Sequence, residues 1–131
     1  MFAMQIRRYC PDDLPGVLRL CEAEHWPSFP EDPPRANLAL TAPGVTTIVA
    51  TDNDRVIGFA QMQSDGQLQA HLSLIAVDKD YRGRGIARQL IGVALRQAGG
   101  QRVDLITDSA ESFYSKLPHR RMSGFRLYPN D

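Results

Sequence analysis

The sequence predicts one α/β domain over residues 1–131, built on a mixed sheet in the order β-α-α-β-β-β-α-β-α-β. Three observations point to it. The length, 131 residues, is that of a single domain of roughly 100 to 150 residues. Between Val45 and Val77 the apolar residues run with period two in three segments joined by short polar turns, the pattern of an antiparallel meander. A glycine turn, an amphipathic helix and another apolar run then follow, and strand, helix, strand in that order implies a right-handed crossover with the two strands parallel.

Gln5-Ile6-Arg7-Arg8-Tyr9 alternates as a half-buried first strand and stops before Pro11. Asp12 or Asp13 can cap a helix whose Leu14, Val17, Leu18 and Cys21 form one apolar stripe, with Pro15 tolerated in its first turn. The segment from Glu24 to Pro34 mixes four prolines with aromatics and acids, which forbids a long regular element and predicts a loop. A short helix over Arg35 to Leu40 ends at Pro43-Gly44. Val45 to Thr51 and Val56 to Gln63 form a hairpin around Asp52-Asn53-Asp54-Arg55, and Ser64 to Gln67 turns the chain into a strand from Leu68 to Val77.

After the glycine turn, Ile86, Leu90, Ile91, Ala94, Leu95 and Ala98 line one face of a helix that Gly99-Gly100 ends. Val103 to Thr107 reads as a strand. Asp108 and Glu111 suit a capping box for a helix that turns Phe113 and Leu117 to the core and halts at Pro118. One last strand is expected near Phe125 to Tyr128.

Composition narrows the function. With 43% hydrophobic and 23% charged residues, and no apolar run near the roughly 20 residues a bilayer span needs, no membrane role is expected. The first four residues lack the apolar core of a signal peptide, so a cytoplasmic protein is expected. Cys10 and Cys21 then remain reduced thiols at no metal-ligand spacing, and no metal is expected. The formal net charge of zero hides a division: residues 1–65 carry five arginines against nine carboxylates, and residues 79–126 carry ten Lys or Arg against four. Global neutrality argues against nucleic acid, whereas a basic second half suits a compact polyphosphate.

The turn itself, Arg82-Gly83-Arg84-Gly85-Ile86-Ala87-Arg88, opens a helix, whose first amides lack intrahelical partners and whose dipole is positive there. A phosphate is the natural ligand of such a place. Two other readings compete: glycines serving only a tight connection, and a dinucleotide-binding turn with Asp104 about 20 residues on. Three clustered arginines disfavour the first. Arg88 where a third glycine or alanine is wanted, and a strand that closes an antiparallel meander, disfavour the second.

Arg82, Gly85 and Ala87 fit the pattern Arg/Gln-x-x-Gly-x-Gly/Ala. With the preceding strand, the element order and the distant Phe113-Tyr114 helix, this resembles the acetyl-CoA signature of the GNAT superfamily of N-acetyltransferases. The resemblance implies that the fourth and fifth strands splay apart. Backbone near Ile75, Ala76 and Val77 would then pair with the pantetheine arm of acetyl-CoA, an amide near Ala76 or Val77 would polarise the thioester, and amides of Arg82 to Arg88 would hold the pyrophosphate. Lys79, Lys116, Arg120 and Arg121 are candidates for the 3′-phosphate or the adenine. Tyr114 takes the family's general-acid position, since a phenol of pKa about 10 stays protonated at neutral pH.

The general base is open among Glu24, His25, His71 and Asp108. The acceptor, a small-molecule or peptide amine, is expected at Glu24, Trp26 and Phe29, with Glu31 and Asp32 nearby, because aromatics beside carboxylates suit a cation. Two functions remain: acetyl transfer to a primary amine by direct attack, or a non-catalytic acyl-CoA-binding module. The tail departs from the family pattern, with Pro118 to Ser123 inserted before Gly124-Phe125, and an exposed sheet edge there predicts a homodimer.

Overall fold

In the computed structural model, which describes residues 2–130, five strands lie in the spatial order of the chain: β1 (Met4–Arg8), β2 (Val45–Asp52), β3 (Arg55–Ser64), β4 (Gln69–Val77) and β5 (Arg102–Asp104). The terminal residues Met1 and Asp131 of the expected domain lie outside the described residues. β1 to β4 pair antiparallel and β5 joins β4 in parallel, the mixed sheet predicted. β2 and β3 sit at its centre and are buried almost throughout, which is why Val45 to Gln63 reads as near-continuous β-branched and aromatic sequence.

Alternate residues of these strands feed two cores. On one face Ile48, Ala50, Ile57, Ala60 and Met62 pack with Ile86, Leu90 and Ala94 of α4 (Ile86–Ala98). On the other, Val49, Val56 and Phe59 pack with Val17, Leu20 and Cys21 of α1 (Leu14–Ala23) and Leu40 of α3 (Pro33–Leu40). No helix among the described residues is long and apolar enough to cross a membrane.

Four local expectations are corrected. Asp13 does not cap α1; it is buried, accepts two hydrogen bonds of 2.8 Å from Arg7 and one of 2.9 Å from the Cys10 amide, and Leu20 rather than Leu18 completes the buried stripe. The segment from Glu24 to Pro34 is not all loop. It holds α2 (Ser28–Glu31), and α3 starts two residues early because Asp32 accepts from the Arg35 amide while prolines fill positions that need no donor.

At the far end, α5 (Glu111–Ser115) is capped by no side chain at its N-cap residue, Ala110, so Asp108 is not its cap; Thr107 Oγ1 accepts from the Ala110 amide instead. The last strand does not form: residues 118–128 hold no strand, and Phe125 and Leu127 are 85% and 86% exposed. Strand propensity is not enough by itself: β-structure needs a paired partner, and residues 118–128 pair with no strand.

Candidate active site

β4 is the hinge of the site. Its β3 edge is paired from Ala70 to Val77, but its β5 edge is paired only at Gln69, Ala70 and His71. Beyond His71 the two parallel strands part, so β5 ends at Asp104 rather than Thr107, and the expected splay is present. A bulge in the β3 pairing at Gln61/Met62 leaves Ser73 opposite no residue, and its hydroxyl accepts from Gln63 Nε2 at 2.7 Å.

The pairing also decides which backbone groups the gap receives. The Asp78 amide donates to the Ile57 carbonyl at 2.8 Å. Antiparallel alternation then turns Ala76 and Leu74 toward β3, and Ile75 and Val77 toward the gap. Ala76, expected as a candidate donor to a ligand, therefore spends its amide within the sheet. Arg82 Nε donates to the Val77 carbonyl at 3.1 Å from the gap side, in agreement with that alternation.

The gap widens into a cleft of about 1240 Å³ that reaches both faces of the sheet. The turn after β4 forms one wall. Asp78 caps a short 3₁₀ turn (Lys79–Tyr81) by accepting from the Asp80 amide; Asp78 is itself held by Arg19 at 3.2 Å and Arg55 at 3.7 Å. That amide bond, opposed by partial burial and helped by the arginines, keeps its carboxyl below the ordinary range.

Gly83 and Gly85 then take φ of +77° and +79°, values that only glycine adopts without strain. A Cβ built on either would meet nothing within 4 Å, so the glycines serve backbone conformation and an open approach rather than close packing. No amide from Arg82 to Arg88 donates to any described residue, whereas Gln89 already donates to the Gly85 carbonyl. Seven unspent donors thus lie at the N-terminus of a 13-residue helix, the arrangement that anions favour.

The three arginines of the turn part ways. Arg82 pairs with Glu24 at 2.6 Å across the cleft, and Arg88 lines it. Arg84 turns to the opposite side, its guanidinium 5.3 Å from the Phe2 ring centre and 5.2 Å from that of Tyr81, whose hydroxyl donates to Asp52 at 2.7 Å. The Arg84 side chain braces the turn rather than lining the cleft.

The remaining candidates separate as clearly. Tyr114 lines the cleft and packs on the α4-side core, with Phe113 edge-on at 5.0 Å between ring centres. The α5 residue packed on the core is thus Tyr114, and neither Phe113 nor Leu117, expected to face it, packs on either core. Its hydroxyl donates to no described residue, and burial pushes the phenol above its ordinary pKa. Glu24, Trp26, Phe29 and Asp108 also line the cleft, the two aromatics packing on the α1-side core.

His25 and His71 do not line it, nor do Glu31, Asp32, Lys79, Lys116, Arg120 and Arg121; Arg121 pairs with Glu111 at 2.5 Å. Sequence reasoning missed the Glu24–Arg82 pair and the lining residues Arg126 and Tyr128. Residues 58 positions apart carry no sequence signal of contact, and the tail enters the site only because it runs beside Ile106, whose Cγ2 lies 2.6 Å from a Cβ built on Gly124.

Residues 43–117 match the family model described as an acetyltransferase (GNAT) domain. The chain is 36% identical over 93 residues to N-alpha-acetyltransferase 30 of Schizosaccharomyces pombe, an alignment covering 63% of this chain and 61% of that protein. It is 42% identical over 57 residues to the mycothiol acetyltransferase of Rhodococcus opacus, 44% of this chain but 18% of the relative, so it spans well under the full length of both. In fold it is similar to the aminoglycoside N-acetyltransferase AAC(6')-Iy, solved in complex with CoA, with a TM-score of 0.74 at 22% identity over 97% of this chain and 96% of the other.

Proposed function

Because this chain belongs to the GNAT family of acetyltransferases, we propose that it moves the acetyl group of acetyl-CoA onto a primary amine by direct attack. The observation that carries the reading is the continuity of the site: one cleft is lined by Arg82, Gly83 and Gly85 to Arg88 of the turn, by Ile75 and Val77 of the open strand edge, and by Tyr114.

The residues present fit the donor. The amides of the glycine turn hold the pyrophosphate, and Arg82 and Arg88 add charge. Ile75 and Val77 offer the pantetheine arm an unpaired strand edge. The Val77 amide, not that of Ala76, faces the thioester carbonyl and stabilises the negative charge that grows on its oxygen. On the other face of the sheet, Trp26 and Phe29 border the acceptor, and Glu24 and Asp108 are the carboxylates within reach of an ammonium.

The amine nitrogen forms a bond to the carbonyl carbon as the bond to sulfur breaks. The ammonium proton leaves before attack to Glu24 or Asp108, directly or through water; Tyr114 gives its proton to the departing thiolate, and the surplus proton on the newly acylated nitrogen restores the phenol. A phenol raised by burial stays protonated until it is needed. The acceptor is a small-molecule or peptide amine, the working compartment is the cytoplasm, and the exposed sheet edge at the C-terminal end joins two copies as a homodimer.

Thermal stabilisation by acetyl-CoA and thiol release across peptides with free N-termini, aminoglycosides and small amines test the reading. A raised melting temperature with turnover of at least one amine is expected, because a ligand that binds only the native state must stabilise it. Stabilisation without turnover of any amine would favour a binding module. No stabilisation at saturating acetyl-CoA would overturn both.

A further inference from the structure

Resting on the reading of the glycine turn as the pyrophosphate seat, we infer that Glu24 is a donor-gated acceptor anchor. In the free protein it is latched to Arg82, and the donor's pyrophosphate releases it to the acceptor side of the cleft. The latch is a single ion pair, Arg82 Nη2 to Glu24 Oε1 at 2.6 Å, joining the donor turn to the connection that follows α1. Nothing else described ties those two segments: the remaining bond of the Arg82 side chain goes back to Val77.

The electrostatics make the paired state incompatible with a bound donor. A pyrophosphate at the amides of Arg82 to Arg88 places its charge beside a carboxylate already inside the cleft, and like charges there repel. Turning the Arg82 guanidinium to make paired hydrogen bonds to phosphate oxygens takes its Nη2 away from Glu24, to which it holds by that one atom. Its side chain is 57% exposed, so it is free to turn.

The backbone beneath Glu24 is fixed by the Glu24 amide on Leu20 and the Trp26 amide on Cys21, at 3.1 and 2.9 Å. The carboxylate therefore moves by its own torsions, without unfolding the connection. Once freed it has lost its cation, and the acceptor's ammonium replaces it. By linkage, donor and acceptor then strengthen each other's binding.

Trp26, the only tryptophan of the chain, stands two residues from Glu24 and reports the release. CoA is titrated into the full chain while Trp26 emission and binding heat are followed together. The expected result is an emission change that tracks the heat in the wild type, with none from pantetheine, which lacks the pyrophosphate. In Glu24→Gln the emission change shrinks and CoA binds about two- to fivefold tighter, the value of an exposed ion pair no longer opposing it. A residue that merely stiffened the fold would weaken CoA binding when replaced. Equal or weaker CoA binding by Glu24→Gln, or a Trp26 signal unaltered by the substitution, overturns the latch while leaving the donor seat standing. Absence of CoA binding by the wild type overturns the seat itself.

Discussion

The two edges of β4 are made of the same strand and do opposite work. Toward β3 it is paired along nearly its whole length, and the residues across that edge, Phe59, Ala60 and Met62, are fully buried. Toward β5 it is paired for three residues and then left open, and Glu24, Asp108 and Tyr114 of the proposed mechanism line the cleft there. Folding free energy is concentrated where the backbone donors and acceptors are spent. Binding capacity is left where they are not, so unsatisfied groups that would be a defect in a core become ligand contacts at a cleft.

The comparison predicts a separation of effects. The largest change in stability belongs to the paired edge: Phe59→Ala should cost about 3 to 5 kcal/mol in denaturant unfolding, and a loss under 1 kcal/mol would mean that the edge is not the fold's anchor. On the open edge, Tyr114→Phe should lower kcat by about 100-fold, the scale of general-acid catalysis, with acetyl-CoA binding unchanged; an unaltered turnover rate would remove Tyr114 from the reaction.

Smaller is Gly85→Val, where a β-branched residue at φ +79° costs about 1 to 2 kcal/mol of backbone strain. The variant should weaken acetyl-CoA binding by about tenfold, and undiminished affinity would dissociate the turn from the donor. An acid titration then compares the regions by charge. Burial pushes the Asp13 carboxyl up, but the Arg7 hydrogen bonds and the Cys10 amide hold it below its ordinary value, and Asp78 is depressed as well.

A depressed carboxylate stabilises the fold above its unfolded pKa of about 4 and loses that contribution as the pH falls through the lower folded value. Stability should therefore drop below about pH 4, less steeply in Asp13→Asn, where one of the linked protons is gone. An identical slope would deny the pair its role. Smallest is Phe125→Ser, at a residue 85% exposed, expected within about 0.5 kcal/mol in a monomer. A larger and concentration-dependent loss would place the tail in a subunit interface.

Much of this was legible because it is local. Period-two alternation marked β2, β3 and β4 to within a residue or two, and i, i+3, i+4 spacing marked the α4 face. Glycines before a helix marked the left-handed turn that opens α4, since such a turn leaves a chemical trace in the sequence. The shortfalls have a shared cause. Asp13 carries a capping residue's chemistry but found Arg7 first, and Phe125 to Tyr128 carry a strand's composition but pair with no strand.

The sequence by itself determined the element order from β1 to α5 apart from α2, the apolar face of α4 and the glycine turn, because each rests on periodicity or on the conformational freedom of particular residues. Only the tertiary structure decided that β4 and β5 separate after His71, that Val77 rather than Ala76 faces the gap, that Arg84 turns away, and that Glu24 meets Arg82 across 58 residues. The physical reason is one of range. A hydrogen bond or ion pair between distant segments depends on where every intervening element packs, and no window of sequence contains that information.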